Sequence, residues 1–266
     1  MHPFTLLFWS SFVSLACLGV VLYVQNKLLG AIRGFQIGTL KQSVLTGFFN
    51  PFLYYTVLLT AYNHLPAQIA QPMNYTWPLV LVVLSAPLMK QKIKAVSLFA
   101  LLISFCGVLI ISFQGNFQGL TIQHPWAVLM AAGSSILWAL YWLLQARDSR
   151  DETVKLFHAF TFGTIFTGIL AFSTGNISLP LQLKSLSVIY VGLFEMGLTF
   201  VFWLKAMQLT DRNDSIGNMV YISPFMSLVF IHYILGESIF NTTWIGLSLI
   251  LLGIFLQQFS RKMKRV

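Results

Sequence analysis

Glu195 is the acidic residue whose position in the sequence indicates a chemical role. Of the seven Asp and Glu residues, it alone lies in the middle of a long apolar stretch, 186–208, while six lie between stretches or at their ends: Asp148, Asp151, Glu152, Asp211, Asp214 and Glu237. Within a membrane a carboxylate costs roughly 2.5–3.5 kcal/mol, and removal from water favours its protonated form. Such a group can hold a proton or a cationic group in turn. The alternative is a buried glutamate that ties two helices together by a hydrogen bond.

The neighbours of Glu195 define one helical face. Gly192 and Thr199 lie three and four residues away, so this face is small and polar and is expected to turn into a helix bundle. A shift of 145 positions also aligns Glu195 with Asn50, which precedes Pro51 in another apolar stretch. Two matched polar residues at mid-depth predict a single binding site for substrate or proton, to which both contribute.

Aromatic and amide residues on neighbouring stretches could complete a cavity around that site: Tyr54, Asn74, Tyr75, Trp77, Trp138, Tyr141, Trp142, Asn218 and Tyr221. Aromatic residues make up 15% of the chain, so packing or anchoring at a membrane interface competes with the lining role for each of them. The stronger candidates are the pairs at 74–75 and 218–221, because each precedes a proline that frees a backbone carbonyl. We expect these prolines, Pro78 and Pro224, to bend their helices and act as gates.

The elements that hold these residues follow from composition. The chain has 266 residues, of which 57% are apolar and only 9% charged. A soluble fold carries roughly 25% charged residues, and disorder requires low hydrophobicity. The composition therefore excludes both and predicts an all-α polytopic membrane protein, since helices satisfy their own backbone groups in lipid.

Nine apolar stretches are each near the 20 residues needed to cross a bilayer. They are 4–25, 45–62, 68–88, 95–113, 125–146, 154–174, 186–208, 215–235 and 241–260. We predict one transmembrane helix for each stretch.

The distribution of Lys and Arg predicts the orientation, because basic loops stay in the cytoplasm. Fifteen of the 16 Lys and Arg residues follow odd-numbered stretches, and Lys184 alone falls on the other side. This places the C-terminus in the cytoplasm and the N-terminus outside. Topology and attraction to anionic lipid account for the net charge of +9, so no nucleic-acid partner is needed.

An internal repeat relates the two halves of the chain. A shift of 146 positions pairs Pro78 with Pro224 and Gly107 with Gly253, among eight identities between 73 and 113. Matched elements are separated by an odd number of helices, so the second copy is inverted, as in many transporters. We expect a first repeat at 1–115, a second at 121–260 and a basic tail at 261–266.

The two repeats are unequal, with four stretches in the first and five in the second. Either the natural chain has nine helices, or the true start lies one helix upstream of Met1. We favour the second alternative, because it would place both termini on the same side of the membrane.

These features resemble the drug/metabolite transporter superfamily, in its EamA-type ten-helix membership. The residues that carry the resemblance are the paired prolines and glycines named above, Gly236–Glu237 after the eighth stretch, and Trp138–Ala139 in the fifth. The sequence departs from the family at Lys90–Gln91, where a glycine–glutamate pair is usual, and lacks the first helix. The resemblance implies a monomeric or weakly associating carrier in a bacterial inner membrane, with its substrate cavity between the halves.

An enzyme is not expected, since the chain has neither H-E-x-x-H nor G-x-S-x-G nor a phosphate loop with a lysine. We expect neither cofactor nor metal. The predicted function is secondary-active export of small metabolites, such as amino acids or amphipathic compounds, in exchange for protons. The alternative is a structural or assembly subunit that transports nothing.

Overall fold

A computed structural model describes residues 1–35, 37–88, 95–112, 124–180, 183–203 and 223–262. All regular secondary structure in these ranges is helical, which confirms the predicted all-α membrane fold. The α-helices are α1 (Pro3–Val24), α2 (Leu28–Arg33), α3 (Ile37–Gly47), α4 (Tyr54–Tyr62), α5 (Ala67–Asn74), α6 (Trp77–Leu88), α7 (Ala95–Ser112), α8 (Pro125–Ala146), α9 (Glu152–Ser173), α10 (Leu183–Tyr190), α11 (Ser223–Leu235) and α12 (Asn241–Lys262).

Two irregular helical segments interrupt this series. The kink segment, Phe48–Leu53, joins α3 to α4, and the π-helical segment, Val191–Leu198, follows α10. The backbone kinks within the first segment and stays helical through the second, and each segment carries one of the polar residues that the repeat aligns.

Five helical spans among the described residues are long and apolar enough to cross a membrane: Pro3–Val24, Gly38–Tyr62, Pro125–Ala146, Glu152–Ser173 and Ser185–Trp203. Shorter apolar helices add to them at Leu102–Ile111, Met226–Leu235 and Asn241–Leu256. Most of the helix ends agree with the predicted stretches within three residues. The architecture is that of a polytopic membrane bundle.

Two predicted stretches differ from the structure. The second begins near Gly38 rather than at 45, because the polar residues at 41–43 lower the local hydropathy although they continue the helix. The third is divided into α5 and α6, since the chain leaves the helix at Tyr75 and Thr76, just before Trp77 and Pro78. Proline lacks an N–H and is tolerated in a first helical turn, so Pro78 begins a new helix instead of bending an existing one.

The chain divides into two compact units. Unit 1 comprises Met1–Thr56 and Tyr141–Asn213, and unit 2 comprises Val57–Leu140 and Asp214–Val266. Both repeats therefore contribute helices to each unit.

Reciprocal glycine contacts hold unit 1 together. A Cβ atom on Gly47 would collide with the carbonyl oxygen of Ala159 in α9, and one on Gly192 would lie 2.7 Å from that of Ser10 in α1. The two glycines are 145 positions apart, as are Asn50 and Glu195. Helices approach this closely only where a side chain is missing, so each irregular segment is pressed against the long helix of the other repeat.

Unit 2 contains an equivalent crossing of α7 and α12. A Cβ atom on Gly107 would lie 2.5 Å from the Gly246 carbonyl oxygen, and one on Gly253 would lie 2.5 Å from that of Ala100. The hydroxyl of Ser104 donates to the Ile250 carbonyl over 3.1 Å. Matched glycines in the last helix of each repeat therefore pack the two helices directly together.

Polar contacts join connections that the charge pattern assigns to the same side of the membrane. Lys27 pairs with Asp151 over 2.5 Å, between two connections predicted to be cytoplasmic. The Thr5 hydroxyl donates to the Asn176 carbonyl over 2.6 Å, at the predicted outer side. The Glu237 carboxylate accepts the backbone N–H of Ala67 over 3.2 Å and so caps α5, also between predicted outer connections. Each of these contacts agrees with the predicted alternation of helices.

Candidate functional site

The backbone leaves helical geometry at Asn50 in unit 1. This residue has φ −148° and ψ 125° inside the kink segment, because the residue before a proline is displaced from the α region. Pro51 packs so closely on Gly163 of α9 that a Cβ atom there would overlap its ring. The sequence Asn-Pro and a facing glycine together fix the position of the kink.

Glu195 lies in the π-helical segment, where the backbone forms wider turns. The Thr199 hydroxyl donates to the carbonyl of Phe194, five residues earlier, and so takes up an acceptor of the widened turn. Such turns occur frequently at functional sites. Both residues aligned by the 145-position shift thus lie at irregular points of their helices.

Glu195 is held by Tyr55. The Tyr55 hydroxyl donates a side-chain hydrogen bond to the Glu195 carboxyl group. Tyr55 is only 4% exposed, whereas Glu195 is exposed. The rings of Tyr54 and Tyr55 pack edge to face with centroids 4.8 Å apart. A buried phenol therefore anchors the acidic group.

Tyr141, Gln145 and Asn50 form a second polar group in unit 1. The Gln145 amide nitrogen donates to the Tyr141 hydroxyl over 2.8 Å, and the Asn50 side chain lies beside the same hydroxyl. Asn50 and Tyr141 are 0% exposed and Gln145 is 3% exposed. Tyr55 lies within electrostatic range of both Tyr141 and Glu195, so the two polar groups are neighbours.

Aromatic rings surround this polar group. Trp142 and Phe200 stack with an interplanar angle of 9° and centroids 6.3 Å apart. Tyr141 packs edge to face on Trp142 at 5.6 Å. These rings offer flat apolar surface next to the hydroxyl and amide groups.

The remaining described candidates lie in unit 2. The Asn74 side chain donates to the Ser134 hydroxyl over 2.7 Å, at the end of α5. Tyr75, Trp77 and Trp138 are partly buried. Asn74 and its partner therefore mark a polar position beside the break that precedes Pro78.

The remaining three predicted residues, Asn218, Tyr221 and Pro224, belong to the second repeat. Asn218 and Tyr221 lie outside the described residues. Pro224 lies in α11.

Charged residues cluster at the connection between α8 and α9. The Arg150 guanidinium forms a bidentate pair with Asp148, with a shortest distance of 2.5 Å, and donates to Ser43 over 2.9 Å. Burial alone would raise the pKa of Asp148, but the hydrogen bonds and the charge of Arg150 outweigh it and hold the pKa below its usual range. For Asp151 burial is likewise outweighed, here by Lys27 and by backbone N–H groups of α9, and its pKa is also lowered. Both carboxylates are thus ionised in the folded protein near neutral pH.

Sequence reasoning missed Tyr55 and Gln145 as members of the site. Gln145 could have been found from its spacing, since residues four apart on a helix face one another. Tyr55 could not be distinguished from the adjacent Tyr54 in the sequence, because the kink at Asn50 decides which of the two contacts Glu195.

Comparison with known proteins shows the family. The EamA-like transporter family matches residues 1–113 and 125–257. An "Uncharacterized transporter" of Clostridium kluyveri is 26% identical over 66% of the chain and 58% of its own length. An "Aromatic amino acid exporter YddG" of Ancylobacter novellus is 24% identical over 74% of the chain and 70% of its own length.

The fold has a solved counterpart. One crystal structure superposes with a TM-score of 0.69 at 19% identity, covering 99% of this chain and 90% of the other. The chain spans about three fifths of the Clostridium kluyveri relative and of one from Archaeoglobus fulgidus. The two-part family match and the two-repeat helical fold together identify the chain as a member of the EamA-like transporter family.

Proposed function

We propose that this transporter exports small metabolites, such as amino acids or amphipathic compounds, in exchange for protons carried by Glu195. The observation that carries the proposal is the pairing of Glu195, inside the Ser185–Trp203 span, with Tyr55 of the Gly38–Tyr62 span. A proton and a cationic substrate compete for one carboxylate, because leaving that carboxylate charged and unpaired in the membrane is costly. Because the proton and the substrate occupy the carboxylate in turn, movement of the substrate out of the cell is coupled to movement of the proton in.

The surroundings of Glu195 support a binding role over a purely structural tie. Glu195 lies in the π-helical segment, and its carboxyl group is bonded to Tyr55, which follows the kink at Asn50, so the pair sits where both helices are irregular. Nearby tyrosine and tryptophan rings can contact cationic or flat substrates. The Ancylobacter novellus relative is named as an aromatic amino acid exporter, so aromatic amino acids are among the substrates to test.

Transport in proteoliposomes made from the purified protein tests the proposal. Glu195→Gln keeps the size of the side chain but cannot titrate, so we expect it to fold and to lose the dependence of flux on the pH gradient. Glu152→Gln is the matched control, since it makes the same chemical change at the start of α9, where Glu152 pairs with Lys155 over 2.6 Å.

Two results would count against the proposal. Full pH dependence in Glu195→Gln would reduce this residue to a structural tie. Absence of substrate-dependent flux in wild-type proteoliposomes would favour the alternative of a non-transporting subunit.

The orientation proposed for this chain is a cytoplasmic C-terminus and an external N-terminus, in a bacterial inner membrane. The fifteen-to-one charge split and the same-side contacts described above support it. A tag after Val266 should be modified only from the cytoplasm, and a tag before Met1 only from outside. Labelling of both from one side would contradict the number of crossings.

The proposed gates are the segments at Pro78 and Pro224, in a carrier that works as a monomer or a weak homodimer. The break between α5 and α6 lies immediately before Pro78, and a few residues between two helices can act as a hinge. Cysteines placed on both sides of each proline should change in accessibility when substrate is added. Unchanged labelling at both sites would remove the gating role.

A further inference from the structure

His158 is a buried histidine of unit 1 whose two ring nitrogens both have partners. The residue is 1% exposed and lies in α9. Its Nε2 atom lies 2.8 Å from the carbonyl oxygen of Ala31 in α2. Its Nδ1 atom lies 2.9 Å from a guanidinium nitrogen of Arg150, in the connection between α8 and α9. The imidazole therefore joins α9 to α2 on one side and to that connection on the other.

The two partners fix the protonation state of the ring. A carbonyl oxygen can only accept a hydrogen bond, so Nε2 must carry a hydrogen that it donates to Ala31. A guanidinium group can only donate, so Nδ1 must keep a free lone pair that accepts from Arg150. Both bonds form together only in the neutral imidazole. A second proton would turn Nδ1 into a donor facing another donor and would add a positive charge beside Arg150.

Arg150 extends this contact to α3. The guanidinium nitrogen that faces His158 also donates to the Ser43 hydroxyl over 2.9 Å, and the rest of the group is paired with Asp148. The charged groups that act on His158 are thus Arg150 and Asp148, both from the connection. From α2 and α3 the ring is approached by the Ala31 carbonyl, and Arg150 by the Ser43 hydroxyl. We call these five residues the histidine junction.

The other charged groups around the histidine junction have partners of their own. Lys155 pairs with Glu152, and Lys27 pairs with Asp151. Burial raises the pKa of Asp148 and of Asp151, but hydrogen bonds and neighbouring positive charges outweigh burial and hold both pKa values below the usual range. Both carboxylates therefore stay ionised between about pH 5 and 8, the interval in which the charge of a histidine ordinarily changes.

We propose that His158 is a proton-sensing site, which holds α2 and α9 against Arg150 and Ser43 while neutral and releases them when protonated. In the closed junction Nδ1 faces a group that only donates, whereas in a separated junction the ring meets water and can accept a proton. Protons thus bind more tightly to the separated state, and a fall in pH shifts the population towards it. In the orientation proposed above, the site responds to the cytoplasm.

Spin labels on α2 and α3 of the full-length protein measure this separation. Leu29 and Lys41 are exposed, so each can be replaced by a labelled cysteine once Cys17 and Cys106 are changed to serine. Electron paramagnetic resonance should show one short distance near pH 8. Near pH 5.5 we expect the population at longer distances to rise about tenfold or more, since a hydrogen bond to a charged group is lost. Unchanged distances would overturn the proposal without any change at His158.

His158→Gln separates the proton from the contact. A glutamine amide can donate to the Ala31 carbonyl and accept from Arg150, but it does not titrate. The variant should therefore keep the short distance at both pH values. His64→Gln, the same change in the connection between α4 and α5, is the control and should respond to pH as the wild type does. A pH response that persisted in His158→Gln would overturn the proposal.

Nitrogen NMR of the histidine rings tests the closed state directly. The other four histidines of the chain, at positions 2, 64, 124 and 232, are exposed, so the ring protons of His158 should exchange most slowly with water. Near pH 8 its signals should show the hydrogen on Nε2, and a hydrogen on Nδ1 would contradict the junction.

The proton-sensing site goes beyond the proposed exchange and can fail separately from it. The distance measurement needs no substrate, and Glu195→Gln should keep the wild-type response of the labels to pH. Loss of this response in Glu195→Gln, with the response retained in His158→Gln, would assign the conformational change to Glu195 and reject His158 as the sensor.

Discussion

The crossing of α7 and α12 predicts how strongly a single methyl group at Gly107 destabilises the protein. In Gly107→Ala the new Cβ atom would lie 2.5 Å from the Gly246 carbonyl oxygen and 3.2 Å from the Ile250 backbone nitrogen. Ordinary contacts begin at 3.4 Å, so the two helices must separate by roughly 1 Å. Both neighbouring atoms belong to the backbone, which cannot rotate away as a flexible side chain can.

A matched variant isolates the cost of that contact. Gly133 lies inside α8, and a Cβ atom there would meet nothing within 4 Å. Both substitutions gain about 1 kcal/mol from the higher helix propensity of alanine, so this gain cancels in their difference. Overpacking costs about 1–3 kcal/mol, and Gly107→Ala should therefore be less stable than Gly133→Ala by about that amount.

Thermal unfolding of the two purified variants in the same detergent measures the difference. Gly253→Ala should resemble Gly107→Ala, because its Cβ atom would lie 2.5 Å from the Ala100 carbonyl oxygen. If Gly107→Ala were as stable as Gly133→Ala, the close approach of α7 and α12 would be wrong.

Three further predictions concern other contacts. The pKa of Asp148 is lowered by its pairing with Arg150, so the pair stabilises the fold above the pKa of about 4 of the unfolded chain and is lost as pH falls through the pKa of the folded protein. Asp148→Asn should therefore lower the melting temperature near neutral pH. A lower melting temperature that persisted in acid would contradict this reasoning. Tyr55→Phe removes the donor to Glu195 and should slow proton-coupled flux about tenfold or more; an unchanged rate would argue against the pairing. Gln68→Leu removes the hydrogen-bond partner of the Ser238 carbonyl, the Phe240 N–H and the buried Thr243 hydroxyl and should lower thermal stability by about 1–3 kcal/mol. A wild-type melting temperature would contradict these contacts.

The overall fold could be predicted from sequence because hydrocarbon length and backbone satisfaction leave few choices. The stretches at 4–25, 125–146 and 241–260 match α1, α8 and α12 within two residues at each end. The short helix α2 was not predicted, since its six residues follow the first span without an apolar stretch of their own. The early start of the second span was also missed, because its first turns carry polar residues and so do not extend the apolar stretch.

The candidate site was predictable at Glu195 and Asn50 and less so around them. A carboxylate in an apolar stretch and an Asn-Pro pair are visible in sequence, and the repeat connects them. Tyr55 and Gln145 belong to the site because of backbone geometry: the kink at Asn50 sets which tyrosine faces Glu195, and the end of α8 brings Gln145 to Tyr141. Such details depend on a three-dimensional arrangement that a residue pattern does not encode.

The two irregular segments have the same backbone contacts in both repeats but different polar side chains. Gly47 and Gly192 make equivalent backbone contacts, so both halves retain the same helix crossing. The aligned side chains three residues further on differ in kind, since one is the neutral amide of Asn50 and the other the carboxyl group of Glu195. A symmetric pair of carboxylates would repel each other when both were ionised, whereas an amide and a carboxyl group can serve one substrate together. The symmetry of the backbone thus supplies two equivalent positions, and of their two side chains only Glu195 can titrate, as the proposed exchange requires.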